Sequence, residues 1–132
     1  MAKIIFADDD PFLIKIYSNR LIKDGHEVIT ASDGLTALEK IKQYKPDLIV
    51  LDIMLPRMNG MDILSELRTQ AAFKKTPVVF LSNLSQDRER SLAEEKGVTE
   101  FVVKAEHTPS EIIAILEKYL PAAAKQSAKS SK

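Results

Sequence analysis

Four short apolar runs in this chain each end in residues able to do polar chemistry. Lys3 to Ala7 leads into Asp8, Asp9 and Asp10, and Leu48, Ile49, Val50 and Leu51 lead into Asp52. Val78 to Leu81 leads into Ser82, and Glu100 to Val103 leads into Lys104. If these run ends meet, carboxylates, a hydroxyl and an ammonium converge. Carboxylates a few ångströms apart repel, and at neutral pH a bound cation relieves this more readily than protonation. Oxygen-only ligands with room for water suit Mg²⁺, which takes few carboxylates together with a phosphate oxygen. A carboxylate beside such an ion can attack phosphorus and become an aspartyl phosphate. Ser82 and Lys104 would then hold the other phosphoryl oxygens and offset the charge developing in transfer. Each residue alone has a plainer reading: Asp8 or Asp10 as a helix cap, Asp52 as a loop acid, Ser82 as a strand-end hydroxyl, Lys104 as a solvated lysine. Matching chemistry at all four ends argues against coincidence.

The elements that must position these residues follow from the pattern. Uninterrupted apolar runs such as Leu48 to Leu51 suit parallel strands covered on both faces. Pro56, Asn59 and Gly60 after Asp52 prevent that strand from continuing. Between the strands, apolar residues recur at helical spacing. Leu13, Ile16, Tyr17 and Leu21 mark a first helix, capped by Asp10 and ending around Asp24 and Gly25. Leu35, Leu38 and Ile41 form the buried stripe of a second helix, and Ile63, Leu64 and Leu67 mark a third. A fourth, about Gln86 to Lys96, offers little beyond Leu92 and Ala93 and should be loosely held; its charge run from Arg88 reads as a solvated face. A fifth, begun by Thr108 to Glu111, turns Ile112, Ile115, Leu116 and Tyr119 inward. The second strand, Glu27 to Thr30, is brief and partly polar, as at a sheet edge.

Five alternating strand–helix units imply an α/β fold, a doubly wound parallel sheet with helices on both faces. Right-handed crossovers favour the flavodoxin-like strand order 2-1-3-4-5. That order makes the strands ending in Asp8–Asp9 and Asp52 neighbours, with Ser82 and Lys104 further along the same edge. Residues 1–121 are expected to form this domain, and the tail 122–132, without a large apolar residue, to be disordered.

Composition excludes other classes. With 45% apolar and 29% charged residues the 132-residue chain is an ordinary globular domain. Nineteen basic and nineteen acidic residues cancel, so no global field favours nucleic acid or a membrane surface. No apolar run approaches membrane-spanning length, no secretory signal opens the chain, and cysteine is absent, which fits a cytoplasmic protein. His26 and His107 are expected to be exposed loop histidines away from the acid edge rather than phosphate carriers.

In this order and at these distances, IIFADDD, LIVLDIMLPRMNG, PVVFLSN and FVVK resemble the receiver domains of two-component response regulators, a likeness covering about Lys3 to Leu120. The resemblance implies that Asp52 is the phosphoacceptor, that Asp9 and Asp52 ligate Mg²⁺ directly with Asp8 acting through water, and that the backbone carbonyl of Met54 completes the set. It implies that Ser82 is the switch hydroxyl, Lys104 the phosphate-binding lysine, and Phe101 the aromatic that changes rotamer as Ser82 moves. Two departures affect the loops: Ala105 stands where the family usually has a proline in a cis peptide, and Asn83 where it has a small residue. A cis bond without proline costs about 2.5–4 kcal/mol, so Lys104–Ala105 is expected to be trans. In receivers that dephosphorylate quickly, polar residues two beyond the phosphoacceptor and two beyond the switch hydroxyl place a water. Here these are Met54 and Leu84, which predicts a long-lived phosphate.

The expected function is a single-domain response regulator, a switch that takes a phosphoryl group from a sensor histidine kinase or a phosphotransfer protein onto Asp52 with Mg²⁺. It turns over only its own phosphate. With no output domain expected after Leu120, the signal should pass to a protein partner through the fourth helix, fifth strand and fifth helix, with homodimerisation left open. One alternative is a receiver-like interaction module that is not phosphorylated, against which Asp9, Asp52, Ser82 and Lys104 speak. Another is a Mg²⁺-dependent aspartyl phosphatase, which would commonly carry a second aspartate where Met54 stands.

Overall fold

The computed structural model describes residues 2–83 and 87–120. Five strands, β1 (Lys3–Ala7), β2 (Glu27–Ala31), β3 (Leu48–Leu51), β4 (Val78–Ser82) and β5 (Glu100–Val103), alternate with five helices. The helices are α1 (Pro11–Lys23), α2 (Gly34–Tyr44), α3 (Gly60–Thr69), α4 (Asp87–Glu95) and α5 (Pro109–Glu117). All strand pairs are parallel, and the order is β2-β1-β3-β4-β5, the expected flavodoxin-like winding. Every residue of β3 and β4 is buried, as their unbroken apolar sequences require, whereas edge strand β2 is only partly covered.

Two apolar cores separate the layers. One holds Phe6, Tyr17, Leu21, Val50, Leu81, Ile112 and Leu116 beneath α1 and α5. The other holds Ile5, Leu38, Ile49, Leu64, Phe80, Ala93 and Phe101 beneath α2, α3 and α4. The helices begin where the acid edge of the sheet ends, and side chains cap them there. Asp10 accepts from the Phe12 N–H, Asp33 from Thr36, Asn59 from Asp62, and Thr108 forms a reciprocal box with Glu111. Each such cap stabilises by about 1 kcal/mol.

Leu35, expected in the buried stripe of α2, is 44% exposed, and Ile16, which helped to mark α1, is 49% exposed. In α1 the buried residues are Tyr17, Ser18 and Leu21. At about 100° per residue this centres the stripe away from Ile16. In α2 the buried stripe is Gly34, Ala37, Leu38 and Ile41, with Leu35 to one side. In α5, Ile113 is buried alongside Ile112 and Leu116 and Ile115 is partly covered, as is Tyr119 just beyond the helix. Strand β2 runs one residue longer than expected, to Ala31. As expected, α4 is thinly anchored: Ala93 is its buried residue and Leu92 is 40% exposed. Leu84, the expected helix start at Gln86 and the tail 122–132 lie outside the described residues.

His26 is a correction: it is buried, not exposed. The chain turns tightly through Asp24 and Gly25, where His26 N–H donates to Leu21 O, 3.1 Å away, just past the end of α1. Its ring Nδ1 has no hydrogen-bond partner. Among the described residues no helix is long and apolar enough to cross a membrane.

Candidate functional site

The acid edge is assembled by register. Ala7 pairs with Leu51, so Asp8 and Asp52 leave adjacent strands in step. Their backbones remain tied to the sheet: Asp8 N–H donates to Ala31 O at 3.1 Å and Asp52 N–H to Ala7 O at 3.0 Å. Carboxylate oxygens of Asp8, Asp9 and Asp52 all lie within 4.8 Å of one another. Asp8 and Asp52 are buried and Asp9 is exposed, so the cluster opens to solvent on one side.

Lys104 reaches across from β5. Its Nζ donates to Asp8 Oδ2 at 2.7 Å and to Asp52 Oδ2 at 3.4 Å. The other oxygens of these acids are held by backbone, Asp8 Oδ1 by Asp10 N–H at 2.9 Å and Asp52 Oδ1 by Met54 N–H at 3.1 Å. Burial pushes the Asp8 carboxyl above its ordinary value, against the opposing hydrogen bond from Lys104. Burial alone would lower Lys104, but its hydrogen bond to Asp8 and the charges of Asp52 and Asp8 outweigh that and raise it. Three carboxylates face one ammonium, leaving an excess of negative charge in a partly dry site. An oxygen-only donor set with that excess fits a hard divalent cation.

Ser82 ends β4, is buried, and pairs in register with Val103, the residue before Lys104. Phe101 is buried with its ring edge against Phe80, centroids 6.3 Å apart. The Lys104–Ala105 bond is trans, like every other peptide bond among the described residues, and leads into a short 3-10 turn, Lys104–Glu106. His107 follows that turn in the loop before α5 and is half-buried rather than exposed. Its Nδ1 lies 4.0 Å from Glu111 Oε1.

The loop after Asp52 is shaped by contacts with the start of α2 that its turn residues Pro56, Asn59 and Gly60 do not reveal in the sequence. Gly34 N–H donates to Pro56 O at 3.0 Å, and a Cβ at Gly34 would sit 1.7 Å from Met58 O. Gly60 is constrained less severely, since a Cβ there would sit 2.7 Å from Asp52 O. Arg57 adopts the left-handed conformation, φ 69°, with its guanidinium 3.6 Å from the α2 cap Asp33. Met54 projects outward, 65% exposed, at the rim of the acid cluster. Only the paired glycines hinted at this in the sequence; the partners they approach are distant along the chain.

A family model described as the response regulator receiver domain matches residues 4–117. The chain belongs to that family. Its receiver sequence is 36% identical over 112 residues to the alkaline phosphatase synthesis transcriptional regulatory protein PhoP of Bacillus subtilis, covering 85% of this chain and 45% of that protein. The chain spans about half the length of the curated relatives it matches. Among solved structures, the chemotaxis protein CheY4 of Vibrio cholerae is 30% identical with a TM-score of 0.83, covering 91% of this chain and 99% of that one. The beryllofluoride-activated receiver domain of Klebsiella pneumoniae RstA is 34% identical with a TM-score of 0.80, covering 89% and 97%. As a receiver, the domain is a phosphorylation-controlled signalling switch with an aspartate phosphosite.

Proposed function

We propose that Asp52 is the phosphoacceptor of this receiver and that a phosphohistidine on a sensor kinase or phosphotransfer protein is the donor. The observation that carries the reading is the Lys104 ammonium shared between Asp8 and Asp52 at adjacent strand ends. An Asp52 carboxylate oxygen attacks phosphorus, the phosphorus–nitrogen bond breaks, and the imidazole leaves, taking a proton from solvent. Lys104 is placed to trade Asp52 Oδ2 for a phosphoryl oxygen as charge moves outward. Ser82, at the end of the neighbouring strand, offers its hydroxyl to another phosphoryl oxygen. Asp8, Asp9, Asp52 and the Met54 carbonyl would hold Mg²⁺, which supplies charge neutralisation at the transferring group. Phe101 is the aromatic that answers the movement of Ser82, and α4, β5 and α5 form the face offered to a downstream protein or a second copy.

Incubation with a small phosphodonor and Mg²⁺, followed by intact mass, tests the reading. A single added phosphate, lost in Asp52→Asn, is the expected result. No phosphate on the unsubstituted protein would favour an interaction module, and rapid turnover of donor would favour a phosphatase.

A further inference from the structure

Phe101 is held from two sides, and one of them is α4. Register pairs Phe80 with Phe101 and Ser82 with Val103. Alternate residues of a strand share a face, so Phe80, Ser82, Phe101 and Val103 all look towards the layer containing α4. On that face the Phe101 ring meets the Phe80 ring nearly edge-on, at 87°, while the Arg90 guanidinium of α4 lies 4.9 Å from its centroid. A guanidinium at that distance is attracted by the ring's negative face.

The rest of α4 makes this contact consequential. The helix reads DRERSLAEE, and its buried residue, Ala93, lies in its second half. Beyond that half, Lys96 Nζ donates to Ser65 Oγ at 2.6 Å, and Arg68 Nε donates to Gly97 O at 2.9 Å. The end of α4 far from Ser82 is therefore pinned to α3, while Arg90 stands in the half that follows the β4 terminus.

We infer that Arg90 is a positioning residue: its guanidinium holds the Phe101 ring beneath α4 and makes the first half of that helix answer to the state of Asp52. A shift of Ser82 towards a phosphoryl group alters the space beside Phe101, and a ring that moves changes its hold on Arg90. Coupling of this kind is reciprocal, so an acidic partner group that captures Arg90 changes the setting of Phe101 in turn. The inference rests on the assignment of Asp52 as phosphoacceptor.

The test is an NMR comparison of the full chain with Arg90→Lys, Arg90→Met and Arg90→Ala, each with and without Mg²⁺ and beryllofluoride as the phosphoryl mimic. Without the mimic, the Phe101 ring signals should move in the Met and Ala variants and stay near the parent's with lysine, which keeps the cation. With it, amide shifts around Asp52 and Ser82 should change in every protein, but the change across residues 87–92 should largely vanish in Arg90→Met and return with Arg90→Lys. An α4 response in Arg90→Met equal to the parent's would overturn the coupling while leaving the Asp52 assignment intact. A parent that shows no response around Asp52 would overturn that assignment and the coupling together.

Discussion

Lys104 is the residue on which the site balances, since one ammonium answers two buried carboxylates and an exposed third lies beside them. The charge left over suits a divalent cation, and a phosphoryl group carried on Asp52 would meet the same field. A water attacking phosphorus must be held in line with the bond being broken. Met54, exposed at the rim, cannot hold it, and neither side chain type at positions 54 and 84 forms a useful hydrogen bond to water. Met54→Asn combined with Leu84→Glu is expected to speed phosphate loss about 10-fold or more, a barrier change of about 1.4 kcal/mol. The check is decay of the phosphoprotein after donor removal in excess Mg²⁺; equal decay of parent and double variant would show that water placement is not limiting.

At the scale of elements, the start of α2 and the loop after β3 are one unit. The Pro56 carbonyl accepts from Gly34, Arg57 reaches Asp33, and Met58 O occupies the space a side chain at position 34 would need. Gly34→Ala is expected to destabilise the fold by about 1–3 kcal/mol, the usual cost of overpacking, and to slow phosphorylation by displacing the loop that Asp52 opens. Chemical denaturation measures the first effect and phosphodonor kinetics the second; an unchanged midpoint would mean that the loop yields freely. The chain just past α5 is tied to β5 by the Tyr119 hydroxyl, which donates to Glu100. That bond first, then burial and the Glu100 charge, push Tyr119 up to about 12. A raised value favours the neutral phenol in the folded state, so this contribution to stability is present below the ordinary tyrosine range and is lost as pH rises through about 12. Tyr119→Phe should remove the highest-pH part of the tyrosinate absorbance rise, and an unaltered titration curve would count against the contact.

For the molecule as a whole, a cation that binds the folded acid cluster and not the unfolded chain must stabilise the fold by mass action. The expected gain is about 1–3 kcal/mol at tens to a hundred times Kd. Thermal melts over a Mg²⁺ series should therefore rise for the parent, and Asp52→Asn should flatten the series while relieving repulsion in the metal-free protein. A parent melt indifferent to millimolar Mg²⁺ would remove the metal from the account.

The sequence by itself determined the order of elements, the strand order and the identity of the acid edge. These depend on local pattern: four fully buried residues in β3 demand an apolar run, and a strand leaving the sheet marks its own end with Asp52. Helix faces were less legible, because spacing shows that a stripe exists but only contact with the sheet decides where it lies. Hence Ile16 and Leu35 are exposed, Ser18 and Ile113 are buried, and His26, just past the turn that ends α1, is buried as well. What only the tertiary structure decided are the meetings between residues far apart in the chain. Lys104 takes Asp8 at shorter range than Asp52, Gly34 yields its side-chain space to Met58, and Arg90 stacks on Phe101. Such contacts depend on the relative height and rotation of neighbouring elements, and no local periodicity encodes these.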